Sequence, residues 1–200
     1  MAHKRTILLA AALTALLALA AGAALYLPRA GAAPGWAGVP LDSPPALGDV
    51  TLATTDGRRT ALSELEAPYL LVFFGYTSCP DVCPLTMARL ARVYRDLGEP
   101  DEVRVVMVTV DPATDTPERL RAYVEGFHPA FLGMRGSNQE IAAAALRFYV
   151  GVNALGDGLV AHSDPVALLG PDRRMRLLYS QDKLGGLEDD LRAVLAGRPW

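Results

Sequence analysis

No run of like charge occurs anywhere in these 200 residues, where 19 Lys and Arg are evenly mixed with 22 Asp and Glu for a formal net charge of −3. The basic stripe that a nucleic-acid footprint requires is missing, which excludes that class of partner. Cysteine is scarcer still: the chain has two, Cys79 and Cys83, and its histidines number three. Structural zinc normally takes four protein ligands, and no residue beyond these offers itself as an obvious fourth. Three residues separate the cysteines, so the C-x-x-C signature of a dithiol oxidoreductase is also lacking. The length allows one domain with a substantial core and a tail, and leaves too little chain for two domains.

Apolar residues make up 51% of the chain but are unevenly placed, and residues 6–27 carry no charge at all. As a helix, Ile7 to Leu27 rises about 1.5 Å per residue and matches the roughly 30 Å of a bilayer's hydrocarbon. Lys4 and Arg5 precede it and only Arg29 follows closely, which keeps the N-terminus cytoplasmic and exports the rest. The expected layout is a cytoplasmic N-terminus at 1–6, a transmembrane anchor at 7–27, a spacer at 28–47 and a folded domain at 48–200. That makes a single-pass protein of a bacterial inner membrane with its domain in the periplasm. A signal peptide cleaved near Ala30 to Ala33 is the rival reading, although signal cores run only about 7 to 15 residues. Export places both cysteines under oxidising conditions.

After the Pro, Ala and Gly-rich spacer, Val50 to Ala53 and Arg59 to Leu62 flank the turn signal Asp56-Gly57 and predict a hairpin. Tyr69 to Phe74 and Val103 to Val110 are apolar runs of strand length, the mark of strands buried on both faces. Pro84 to Leu97 carries Met87, Leu90, Ala91, Tyr94 and Leu97 on one side and predicts an amphipathic helix. Further helices are expected after Thr116-Pro117, over Asn138 to Tyr149 and over Leu187 to Leu195. A hairpin of Val166 to Leu169 with Arg174 to Tyr179 closes the sheet. Strand and helix alternate, which predicts an α/β sandwich around a central sheet.

Cys79 and Cys83 fall where the first buried strand gives way to its helix, the edge of an α/β sheet at which ligands collect. Pro84 is tolerated only in a first helical turn, so Cys83 is expected at the helix N-terminus with its thiol pKa lowered. One tight turn brings the two cysteines close enough for a disulfide or for one shared metal ion. A structural disulfide across so short a loop removes little unfolded-state entropy. His3 precedes the anchor, and His128 lies in a turn-like segment where an exposed side chain is expected. His162 stands on a loop entering the sheet, where a lone histidine is on general grounds more often incidental than a ligand. Two thiolates and an imidazole, if they converge, form a soft three-point site suited to Cu(I) and usable for Cu(II). Met87 lies on the apolar stripe of its helix, where core packing explains it better than ligation.

The segments FFGYTSCPDVCPLTM at 73–87, VTVDPATDTPERLRAYV at 108–124 and LVAHSDPVALLGPDRRM at 159–175 resemble the Sco/SenC copper proteins of respiratory oxidase assembly. With the preceding hairpin, the likeness covers most of residues 48–197. It implies a thioredoxin-like fold, a central mixed sheet flanked by helices, in which Cys79, Cys83 and His162 bind one copper ion per chain. It further implies copper delivery to, or thiol reduction at, the CuA centre of cytochrome c oxidase subunit II, with a separate thiol reductant and a copper donor as partners. Asp111 and Asp115 match the family's DPxxDTP segment. Asp111 is a candidate to support the ligands from behind, and Asp115 is accounted for by capping the helix at Thr116 or Pro117. Pro165 is a candidate for the cis-proline that thioredoxin-like folds set beside their cysteines.

Two other readings use the same residues. One is a membrane-anchored thiol-disulfide oxidoreductase, or peroxidase-like protein, working through Cys79 and Cys83. The other is a copper or redox sensor that binds metal without handing it on.

Overall fold

The computed structural model describes residues 35–155, 158–161 and 163–200. Two strands at the centre organise the domain: β4 (Tyr69–Gly75) and β5 (Val103–Thr109), parallel and in register from Tyr69 opposite Val103 to Gly75 opposite Thr109. Both are buried on both faces, as continuous apolar runs require. β6 (Leu132–Arg135) extends the parallel pairing from β5. Antiparallel strands complete the sheet on each side. On one flank β9 (Val166–Leu169), β10 (Met175–Tyr179) and the short β1 (Val39–Pro40) follow β4; on the other, β2 (Thr51–Thr54) and β3 (Arg59–Ala61) follow β6. A separate hairpin pairs β7 (Val152–Leu155) with β8 (Gly158–Ala161).

Alternation along β4 distributes its side chains between two cores. Leu71 and Phe73 pack with α1 (Val82–Asp96), α2 (Pro117–Phe127) and α4 (Leu187–Leu195), through Met87, Leu90, Leu120, Val124, Leu187 and Leu191. Leu70, Val72 and Phe74 face α3 (Asn138–Arg147), where Ile141, Ala144 and Phe148 meet them. The sheet is therefore mixed and covered on both faces, the thioredoxin-like arrangement that the motifs implied. Met87 is fully buried, a core residue as its helical position predicted. The C-terminal helix spans the residues expected of it.

Several expectations need correction. Residues 36–47, taken from composition as spacer, are part of the fold, and the compact unit begins at Trp36. Asp190, itself buried, accepts the amides of Ala37 (3.1 Å) and Gly38 (3.0 Å) and the Tyr179 hydroxyl (2.9 Å). Gly38 lies so close on Tyr179 that a Cβ there would come within 2.8 Å of the ring. A Pro and Gly-rich stretch can dock in this way because an edge strand needs few ladder bonds. No peptide bond among the described residues is cis, so Asp164–Pro165 is trans, the isomer that X-Pro bonds favour by about 0.5–1 kcal/mol. His128 is not exposed: its side chain retains 12% accessibility, its ring packs edge-on to Tyr94 at 4.8 Å, and Nδ1 accepts the Ala130 amide. The expected anchor at 7–27, the first part of the spacer and His162 lie outside the described residues. Among those described, no helix is long and apolar enough to cross a membrane.

Candidate metal centre

β4 ends at Gly75 and α1 begins at Val82, and the intervening turn carries Cys79. Cys83 is the second residue of α1, beneath the end of β4, with 4% of its surface exposed. Gly75 makes room for it: a Cβ there would stand 3.1 Å from the Cys83 sulfur and 2.6 Å from the Phe73 ring. Cys79 folds back over the helix start, where its sulfur accepts the Cys83 amide at 3.4 Å while its own amide donates to the Tyr76 carbonyl at 3.2 Å. Both cysteines are free thiols.

The two thiols differ in electrostatics, and in the opposite sense to that expected from sequence. Burial pushes the Cys83 thiol up to about 12, reinforced by the hydrogen bond to Cys79 and by the charge of Asp164. At Cys79 burial also acts upward, but hydrogen bonds from the Cys83 thiol, the amides of Asp81 and Cys83 and the Tyr76 hydroxyl outweigh it, and its pKa falls below the ordinary range. The unpaired amides at the helix start point at Cys79, the residue outside the helix, rather than at Cys83 within its first turn. Burial also raises the pKa of Tyr123, whose phenol senses both cysteines and whose hydroxyl is buried without a hydrogen-bond partner.

The turn before Cys79 is gripped from the β5–α2 connection. Asp115 is completely buried and accepts the Thr77 amide (3.1 Å), the Thr77 hydroxyl (2.5 Å) and the Thr109 hydroxyl (2.5 Å). It does not cap α2: that role belongs to Thr116, whose hydroxyl accepts the Arg119 amide, with Pro117 in the first turn. The expected capping role for Asp115 is thus replaced by a long-range one, because a carboxylate this deeply buried must collect several donors. Asp111 accepts the Thr114 amide, and its charge is felt at Tyr76, the neighbour of Cys79.

A second connection reaches the segment that follows position 162. Gln181 accepts the Thr86 hydroxyl of α1 at 3.2 Å and donates to the Asp164 carbonyl at 3.0 Å. The charge of Asp164 is also felt at Cys83. Among the described residues, no three His, Cys, Asp or Glu side chains form a group able to hold a metal. The donors present are two adjacent thiols, one of them favoured as thiolate, a set that suits a soft cation. Thr77, Arg119 and Gln181 were not singled out from sequence, and Asp115, noted in the DPxxDTP segment, was read as a helix cap. A further local signal was an Asp and an Arg four residues apart across a helix start.

The SCO1/SenC family model matches residues 41–194. The human mitochondrial SCO2 homolog is 38% identical over 158 residues, covering 74% of this chain and 59% of the human protein's length. Apo Sco1 from Thermus thermophilus superposes with a TM-score of 0.69 at 34% identity, over 82% of this chain and 99% of that one. A copper-bound ScoI from Arabidopsis thaliana gives a TM-score of 0.63 at 27% identity, over 78% and 98%. The family match spans both cysteines, the Asp115 grip and all but the last residue of the terminal helix, and on that span the chain belongs to the SCO1/SenC family.

Proposed function

We propose that this protein is a copper carrier that holds one copper ion per chain on Cys79, Cys83 and His162 and serves assembly of the CuA centre of cytochrome c oxidase. The observation that carries the reading is the pair of free thiols at the open end of β4, one bearing the helix-start amides and the other buried beneath it. The charge of Asp164, two residues beyond His162, is felt at Cys83 and supports the third ligand. The copper bound by the Arabidopsis relative supports copper as the ion carried. Copper is the cargo here. A three-coordinate Cu(I) leaves a flank on which an incoming thiolate from the recipient can bind before the old ligands depart. Binding must displace the Cys83 proton, so loading releases protons and strengthens as pH rises. Asp111 would support the site through Tyr76. The charge-free stretch at 7–27 would anchor the protein in a bacterial inner membrane with the domain in the periplasm. A copper donor, a thiol reductant and oxidase subunit II would be its partners.

The inequality of the thiols favours a second reading, thiol-disulfide exchange. Cys79 thiolate would attack a partner disulfide, forming a mixed disulfide and releasing one partner thiolate. Cys83, on losing its proton, would attack the Cys79 sulfur and release the second. Two electrons pass to the partner's cysteines and a Cys79–Cys83 disulfide remains.

Copper stoichiometry of the full chain, reduced and loaded anaerobically, separates these readings. One copper per chain, lost in Cys79→Ser, Cys83→Ser and His162→Ala, is the result expected of the carrier. Copper that stays bound in His162→Ala, or that never reaches one per chain while the dithiol still cycles with a reductant, would replace it with the exchange reading.

A further inference from the structure

Four contacts tie the two residues preceding Cys79 to a different βα connection. Thr77 gives both its amide and its hydroxyl to the buried Asp115 carboxylate. Arg119 donates from Nε to the Thr77 hydroxyl oxygen at 2.7 Å and from its terminal nitrogen to the Ser78 hydroxyl at 2.9 Å, with its charge 3.9 Å from Asp115. The partners are 38 to 42 residues apart in sequence. Helix capping requires none of this, because Thr116 supplies the cap. Core packing does not require it either, since the Arg119 side chain is 49% exposed. What these contacts fix is the path of the backbone into Cys79, whose sulfur must lie over the first amides of α1.

We propose that Asp115 and Arg119 are positioning residues for Cys79, which hold the 77–78 segment so that the dithiol keeps its reactivity and its grip on copper. The proposal rests on the reading of Cys79 and Cys83 as the working pair. A ligand on the six-residue turn 76–81 samples many conformations unless its approach is pinned, and outer groups that orient ligands are typically worth about 10 to 100-fold in metal affinity. The planar guanidinium reaches two hydroxyls at once, which an ammonium cannot reproduce with the same geometry.

The test uses the full chain with Arg119→Ala, Arg119→Lys and Thr77→Val. Each is measured for Cys79 alkylation rate, dithiol–disulfide equilibrium in a glutathione buffer, Cu(I) retention against a chelator, and thermal unfolding midpoint. Arg119→Ala is expected to unfold with the parent, to shift the Cys79 alkylation rate and the glutathione equilibrium, and to lose Cu(I) about tenfold more readily, with Arg119→Lys recovering part of the loss. Thr77→Val is expected to follow Arg119→Ala. Unchanged thiol chemistry and copper retention in both variants would overturn the proposal. So would changes that track the unfolding midpoint and are not recovered by lysine. The two thiol measurements contain no copper, so a parent that fails to bind copper counts against the carrier reading and leaves the positioning role to be judged on them.

Discussion

The amide of Cys83 donates to the sulfur of Cys79 at 3.4 Å, so the buried cysteine helps to ionise the half-buried one while its own thiol stays protonated. The stabilised thiolate is the one that an outside reagent meets first. In the reduced protein, iodoacetamide at neutral pH is expected to label Cys79 more than about a hundredfold faster than Cys83, because only thiolate reacts. Mass spectrometry of the peptides after timed quenching measures the ratio. Comparable rates would show that the inequality is absent in solution.

The same asymmetry shapes stability. The Cys83 pKa is raised in the folded state to about 12, above the ordinary thiol value of 9.0, so above that value the folded protein holds a proton that the unfolded chain gives up. The stabilising contribution is complete below pH 9 and is lost as pH rises toward 12. Urea unfolding of the reduced protein between pH 8 and 11 is expected to show falling stability, with a shallower fall in Cys83→Ala. Identical slopes would remove Cys83 as the cause.

Gln181 bridges Thr86 on α1 and the Asp164 carbonyl, which links the helix carrying Cys83 to the segment following His162. Gln181→Ala is expected to lower Cu(I) retention about tenfold. Its stability cost should stay near 1 kcal/mol, the net worth of an ordinary hydrogen bond. Chelator competition and urea unfolding provide the two numbers, and a loss of stability without a loss of copper would confine Gln181 to a structural role.

Asp190 satisfies two amides and a phenol at once. Asp190→Ala leaves three donors, two of them buried, without an acceptor, and a destabilisation of roughly 2–4 kcal/mol is expected in urea unfolding. Asp190→Asn, which keeps one acceptor oxygen, should cost less.

Much of this architecture was legible because it is local. The run at 69–74 reads as a buried strand wherever it is placed, and α4 combines a clean apolar stripe with acidic residues in its first turn. β6 was missed because Gly133 interrupts its pattern. The glycine is needed there because a Cβ would come within 2.7 Å of the Leu120 side chain. β1 was missed because two residues ending in proline carry no period, and their pairing comes from β10, far along the chain. At the site, the motif pointed to the cysteines, but the assignment of the lower pKa to Cys83 failed. Whether a thiol lies under or over a helix start depends on where the turn deposits it. The Asp115 grip was invisible for a related reason: Thr77 and Asp115 share no local pattern, and only the parallel pairing of β4 and β5 brings the ends of their connections together.

The chain has two tryptophans, Trp36 and Trp200, and their rings stack 5.5 Å apart, with the Arg198 guanidinium 4.0 Å from the Trp36 ring centre. All of the protein's indole emission therefore arises from a single contact between the first packed residue and the last. Fluorescence excited at the tryptophan edge, and any exciton couplet in the near-ultraviolet, would report whether these two borders of the compact unit are joined. The protein thus carries its own optical gauge of fraying at the borders of its compact unit, built from residues separate from the two cysteines.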